Sequence, residues 1–181
     1  MLAAITAILS AMALNLLAAG PSQARTEDLF GVQMYNYSTH KCLDIPDTGA
    51  PNLGSTLQQH DCIPGSGDNQ RWDIVDTGDG FLIRNSKRTD LCLDIADYGV
   101  PGNAKVGFYW CNGTMADNQL WYALPDSTGK WYRIVNALSY NANRPVCLDV
   151  AGYADPTNDL PVGVYTCSSS LSDDHWWQFR Y

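Results

Sequence analysis

The stretch from Cys92-Leu93-Asp94-Ile95 to Asp117-Asn118-Gln119-Leu120-Trp121 decides the fold, because its landmarks return twice more. It opens on a Cys-Leu-Asp triplet, reaches Cys111 just after the aromatic pair Tyr109-Trp110, and closes on Asn-Gln-x-Trp. Cys42-Leu43-Asp44 leads in the same way to Cys62 and Asn69-Gln70-Arg71-Trp72. Cys147-Leu148-Asp149 leads to Cys167 and Asp174-His175-Trp176-Trp177. The first cysteines fall at 42, 92 and 147, the second at 62, 111 and 167, and the tryptophans at 72, 121 and 177. Three landmarks holding one register across three copies define an internal threefold repeat, with copies at about residues 32–79, 80–128 and 129–181.

Working outward, the N-terminal segment stands apart from the repeats. Leu2 to Ala19 is apolar except for Thr6, Ser10 and Asn15, and the small residues Ser22 and Ala24 suit cleavage after Ala24. Residues 1–24 therefore read as a secretory signal, residues 25–181 as one mature domain, and the protein as secreted. No Lys or Arg precedes the apolar run, which departs from the usual signal pattern. The run is also at the short limit for a span, so membrane insertion is not expected. The net charge of −8 argues against nucleic-acid or anionic-membrane partners, which require a basic footprint.

Six cysteines in a secreted chain read as three disulfides. No two of them are spaced closely enough for a Cys-x-x-Cys zinc site. The repeat selects the symmetric pairing, one bridge per copy: Cys42–Cys62, Cys92–Cys111 and Cys147–Cys167. No metal or cofactor is expected.

Each copy begins with a strand-like alternation, at Val32–Asn36, Phe81–Asn85 and Tyr132–Asn136. Three more short runs follow in each, separated by turn clusters such as Pro64-Gly65-Ser66-Gly67. No long window shows helical periodicity, so the expectation is a closed all-β architecture of about twelve short strands. The third copy carries an insertion around Ser139–Asn143. Asn36-Tyr37-Ser38 and Asn112-Gly113-Thr114 are glycosylation sequons.

The tripled Cys-Leu-Asp, second cysteine and Gln-x-Trp pattern closely resembles the ricin B-type lectin family over residues 32–181. The resemblance implies a β-trefoil with up to three shallow sugar sites. In the family, the triplet aspartate accepts hydrogen bonds from adjacent hydroxyls, and the side chain two residues before the second cysteine stacks on the sugar. The asparagine of Asn-Gln-x-Trp supplies an amide, the glutamine orients the aspartate, and the tryptophan belongs to the core. These roles suit the chemistry of a pyranose, which offers vicinal hydroxyls and an apolar C–H face.

Carried over, the first copy offers Asp44, Gln58, His60 and Asn69, with Gln70 orienting. The second offers Asp94, Tyr109 and Asn118, with Gln119 orienting, and is the most complete; Gly107 stands where a further polar contact is possible. The third offers Asp149 and Tyr165, but Asp174 replaces the amide and His175 the glutamine. Two facing carboxylates repel or share a proton unless a cation or His175 compensates. Tyr98 and Tyr153 are candidates for a second aromatic wall.

The expected function is a non-catalytic, secreted sugar-binding domain with two to three sites for galactose-type sugars or plant and cell-surface polysaccharides. The alternative is the glycan-targeting subunit of a multi-component toxin or enzyme complex, with a separately encoded catalytic partner. A glycoside hydrolase is disfavoured. That chemistry uses two differentiated carboxylates, whereas Glu27 is the one glutamate and the repeated aspartates look alike.

Overall fold

The computed structural model describes residues 27–96 and 102–181. The expected signal segment and Tyr98 therefore lie outside the described residues. The first copy contributes β1 (Leu29–Asn36), β2 (Cys42–Asp44), β3 (Leu57–His60) and β4 (Trp72–Asp76). The second contributes β5 (Phe81–Asn85), β6 (Arg88–Ile95), β7 (Val106–Trp110) and β8 (Trp121–Pro125). The third contributes β9 (Tyr132–Asn136), the short helix α1 (Ala137–Asn141), β10 (Val146–Val150), β11 (Pro161–Thr166) and β12 (Trp176–Arg180). The twelve strands among the described residues match the sequence expectation.

The first and last strands of each copy close a six-stranded antiparallel ring, β1–β4–β5–β8–β9–β12 and back to β1. The middle strands form three hairpins, β2–β3, β6–β7 and β10–β11, which cap one end of that ring. This is the β-trefoil. Closure leaves the ring no free edge for non-native pairing.

The alternation read from sequence builds the core directly. In β5, Phe81, Ile83 and Asn85 are buried while Leu82 and Arg84 are half-buried. Trp72, Trp121 and Trp177 are fully buried, as expected, among Leu43, Leu93 and Leu148 from the hairpins. Trp72 and Trp177 donate their indole N–H groups to the carbonyls of Leu43 and Leu148, at 3.2 and 3.1 Å. The three disulfides pair as the symmetry predicted. Each closes a loop of about 20 residues, a constraint on the unfolded chain worth roughly 3 kcal/mol by loop entropy.

Two differences from the sequence reading have physical causes. β1 starts at Leu29, ahead of the alternation at Val32, because Leu29 pairs with Ile74 across an irregularity at Gly31, whose φ is +67°. The third-copy insertion folds into α1, capped by the Asn136 side chain accepting from Ser139 N–H. One helical turn is too short to show a periodicity in sequence.

A set of contacts not foreseen from sequence joins the copies. The first strand of each copy ends in a fully buried asparagine: Asn36, Asn85 and Asn136. Each donates its amide to a main-chain carbonyl in the preceding copy, around the ring. Asn85 reaches Asn69, Asn136 reaches Asn118 and Asn36 reaches Asp174. Their side-chain oxygens accept from the following turn, at Ser38 and Thr39, Lys87 and Ser139 respectively. Removing such a group strands buried partners, which costs about 1–3 kcal/mol per unsatisfied group. Asn85→Ala is expected to lower unfolding stability by about 2–3 kcal/mol in a urea titration. Exposed Asn112→Ala should stay within about 0.5 kcal/mol of the parent; equal costs for the two would refute the role given to Asn85.

Candidate carbohydrate sites

The hairpin registers set the sites. Each triplet aspartate sits directly across from the residue four before the second cysteine: Asp44 from Gln58, Asp94 from Gly107 and Asp149 from Gly163. Two residues further along the same strands stand His60, Tyr109 and Tyr165. Tyr109 and Tyr165 are more than half exposed and His60 is half-buried.

The two glycines do more than leave a gap. A Cβ on Gly107 would lie 3.0 Å from the Ser55 carbonyl oxygen, and one on Gly163 would lie 2.8 Å from that of Ala104. The loop of the preceding copy therefore lies against the strand, and each cleft straddles two copies. The second cleft, about 580 Å³, is lined by Leu53, Gly54 and Thr56 of the first copy as well as Asp94, Tyr109 and Asn118. The third, about 440 Å³, joins Asn103 and Lys105 of the second copy to Asp149, Tyr153, Tyr165 and Asp174. These loop residues were missed in sequence because the motif marks positions within a copy and is silent on contacts between copies.

In the second site Gln119 holds a defined orientation. Its carbonyl oxygen accepts from Asn112 N–H at 2.7 Å, and its amide donates to Asp94 Oδ2 and to the Trp110 carbonyl, at 2.9 and 3.0 Å. Burial raises the pKa of Asp94, and the Gln119 hydrogen bond pulls it back down. The buried Asn118 amide is clamped to the main chain of Ile95, donating to its carbonyl at 2.9 Å. It lines the cleft while fixing the strand end that carries Asp94.

The first copy differs from its expected role in two residues. Gln58 donates to Asp44 Oδ2 at 2.7 Å, so it caps the carboxylate and leaves Asp44 only 4% exposed. Asn69 is fully buried, its amide nitrogen within 3.1 Å of the carbonyls of Ile45, Asp47 and Gly49. Two amide protons among three carbonyls leave no donor for a ligand, so Asn69 is a loop clamp rather than a sugar contact. Gln70 accepts from Ile63 N–H and donates to the Asp61 carbonyl, holding the chain around Cys62. Burial raises the pKa of Asp44, and Gln58, with Gln70 behind it, pulls it part of the way back. Gln59, next to Gln58 and fully buried, ties in the third-copy loop by donating to the carbonyls of Asp155 and Thr157.

In the third site a histidine takes the glutamine's place as acceptor for the chain after the second cysteine. Ser168 N–H donates to His175 Nδ1 at 3.1 Å, matching the Asn112-to-Gln119 contact. An acceptor Nδ1 carries no proton, so the neutral ring places its N–H at Nε2. That nitrogen lies 2.9 Å from Asp149 Oδ1, approaching the carboxylate obliquely. Asp174, buried, accepts from Ala154 N–H at 3.1 Å and lines the same cleft as Asp149. Burial, then the facing Asp149 carboxylate, push Asp174 up to about 8. A proton held on either of two neighbouring carboxylates relieves the repulsion between them. Tyr153 borders this cleft, mostly exposed, with its hydroxyl 2.8 Å from Ser172 Oγ.

Asp149, Asp173 and His175 could each turn one ligand atom toward a common point. The donor set does not fit a metal, because Nδ1 is taken by Ser168 N–H and Nε2 bears the proton; a ring nitrogen must be bare to ligate. Of the two sequons, Asn36 is fully buried with its amide on the Asp174 carbonyl, so the folded chain cannot present it to a glycosylating enzyme. Asn112 is exposed.

The family model of the ricin-type beta-trefoil lectin domain matches residues 30–176. A search of curated protein sequences finds no significant match. Among solved structures, the designed threefold-symmetric protein ThreeFoil superposes with a TM-score of 0.68 at 24% identity, covering 83% of this chain and 97% of that one. The Macrolepiota procera ricin B-like lectin, solved with lactose, gives 0.62 at 18% identity, over 85% and 94%. The Clostridium thermocellum exo-beta-1,3-galactanase 1,3Gal43A gives 0.67 at 21% identity, over 83% of this chain but 30% of the enzyme. The fold thus occurs as nearly a whole chain and as a minor part of a larger enzyme. With a tripled motif, a closed β-trefoil and a family match over most of its length, the chain belongs to the ricin-type β-trefoil lectin family.

Proposed function

We propose that this protein is a secreted, non-catalytic lectin domain that binds galactose-type sugars or cell-surface polysaccharides through unequal sites. The observation that carries this reading is the second cleft. There an open carboxylate, Asp94, is held by Gln119 beside the exposed ring of Tyr109. A carboxylate accepts from two vicinal hydroxyls, and the phenol covers the C–H face of the same ring. The third cleft offers Asp149 with Tyr165 and Tyr153. The first is closed over Asp44 by Gln58 and is the weakest.

Secretion is supported by six cysteines all engaged in disulfides, which form and persist in oxidising compartments. The apolar segment at 1–24 gives a route to export. The galactanase neighbour, in which such a domain is a minor part of a longer enzyme, keeps a second reading open. In it this chain targets a separately encoded catalytic partner to glycans, and copurification from the native source distinguishes the two.

Sites of this kind bind in the millimolar range alone and gain strength when several engage one branched glycan. Isothermal titration with lactose and a glycan array test the reading. Asp94→Ala is expected to weaken binding about thirtyfold, the loss of one charge-assisted contact of about 2 kcal/mol. Asp149→Ala should cost less, and Asp44→Ala nothing measurable. No binding to any galactoside or polysaccharide at millimolar concentration, or a larger effect at Asp44 than at Asp94, contradicts the proposal.

A further inference from the structure

We propose that Lys105 is a specificity-determining residue of the second cleft: with that cleft read as a sugar site, on which this rests, it selects oligosaccharides bearing a negative charge on the unit beside the stacked ring. The hairpin register places it. Asp94 stands across from Gly107, and two residues on, Ala96 N–H donates to the Lys105 carbonyl at 3.0 Å. Val106 and Phe108 turn into the core, so Lys105, Gly107 and Tyr109 share the opposite face of the strand. An exposed phenol and an exposed ammonium therefore flank the side-chain-free position that Asp94 faces.

Lys105 is the one cation among the described residues lining either open cleft. The acids beside it in the second cleft are engaged elsewhere. Asp94 Oδ2 accepts from Gln119 at 2.9 Å. Asp117 accepts from the Asn118 N–H and from the Asn112 side chain, at 2.7 and 2.9 Å. Other cations find acids, as Lys41 does with Asp61 and Arg88 with Asp90, whereas among the described residues no ion pair holds Lys105. Its charge is left for a ligand. An ammonium is a compact point charge on a flexible stem, which suits a carboxylate or a sulfate without demanding fixed geometry.

The equivalent positions in the other copies carry no charge. Two residues before the partner of each triplet aspartate stand Thr56 in the first copy and Pro161 in the third. Lys105 also borders the third cleft, where it bridges Gly163. That cleft sets Asp149, Asp173 and Asp174 against the one cation, so an anionic ligand is favoured in the second. Lys105 lies two residues, roughly 7 Å, along the strand from the position facing Asp94. An acid in contact with the ammonium at about 3–4 Å gains more than a carboxylate at twice that distance takes away. The span from Tyr109, four residues or roughly 13 Å, also sets the ligand's size. A single pyranose stacked on Tyr109 ends short of Lys105, so the charge belongs on the next unit.

The test is titration of the whole protein with lactose, sialyllactose and sulfolactose, read at the Tyr109 ring by NMR. Sialyllactose carries its carboxylate on the unit beyond galactose, and sulfolactose carries its sulfate on galactose itself. Sialyllactose should bind about three- to fivefold tighter than lactose, the range of an exposed ion pair. That ratio should fall toward one as salt rises from about 0.02 M to about 0.5 M and screening shortens. Lys105→Gln should bring it to one or below, because Asp94 then repels the acid unopposed, and Lys105→Arg should keep it. An equal gain with sulfolactose shows that charge at either place suffices, and a gain with sialyllactose alone fixes it on the second unit.

A ratio of one in the parent, a preference unchanged in Lys105→Gln, or a gain with sulfolactose alone overturns the proposal. Lactose that shifts the Tyr109 ring with no preference for the acid refutes the role of Lys105 and leaves the lectin reading standing. If none of the three sugars shifts that ring, the lectin reading of the cleft fails and the proposal falls with it.

Discussion

The structure depends on one contact repeated three times, the asparagine that ends the first strand of each copy and bonds to the main chain of its neighbour. Asn36, Asn85 and Asn136 are fully buried, and each donates to the carbonyl of residue 174, 69 or 118. Those carbonyls belong to the residues that stand beside each triplet aspartate. The bond that locks one copy to the next therefore also fixes the wall of each candidate site. Its energy is that of a buried, multiply satisfied amide, whose loss would strand several main-chain groups at once. Disulfides constrain each hairpin separately, whereas the asparagines make the three copies one cooperative body.

On that common frame the three sites differ by small exchanges with large chemical effect. Glycine against glutamine decides whether the aspartate is open or capped. Gly107 and Gly163 admit the preceding loop and leave Asp94 and Asp149 half-open, whereas Gln58 covers Asp44. Glutamine against histidine keeps the contact to the chain after the second cysteine but sets an oblique ring nitrogen beside the aspartate where an amide donates to it. Asparagine against aspartate replaces a permanent donor with one that exists only while protonated. Clefts built across two copies also make each site sensitive to its neighbour, because the second is completed by Leu53 and Thr56 and the third by Asn103 and Lys105.

Much of this was legible in the sequence because the fold repeats its own signals. The cysteine spacing gave the three bridges, the once-per-copy tryptophans gave the core, and the alternation at Phe81–Asn85 and Tyr132–Asn136 gave ring strands. The tension between Asp149 and Asp174 was also visible, as two acids at positions that meet in the folded chain. What stayed hidden arises from contacts between copies. Nothing local to Asn69 announces that its amide is spent on the carbonyls of Ile45, Asp47 and Gly49. Nothing local to Gly163 announces the Ala104 carbonyl 2.8 Å from where a Cβ would stand. A repeat motif encodes what each copy shares, and the sites are shaped by how neighbouring copies meet.

The central claim is that one scaffold carries three clefts of unequal competence, with the second the strongest. The most direct test is a crystal structure of the protein soaked with lactose at neutral pH. The account predicts a sugar stacked on Tyr109 with two hydroxyls donating to Asp94, and none at the capped Asp44. A sugar bound at Asp44 with the Tyr109 cleft empty would contradict it.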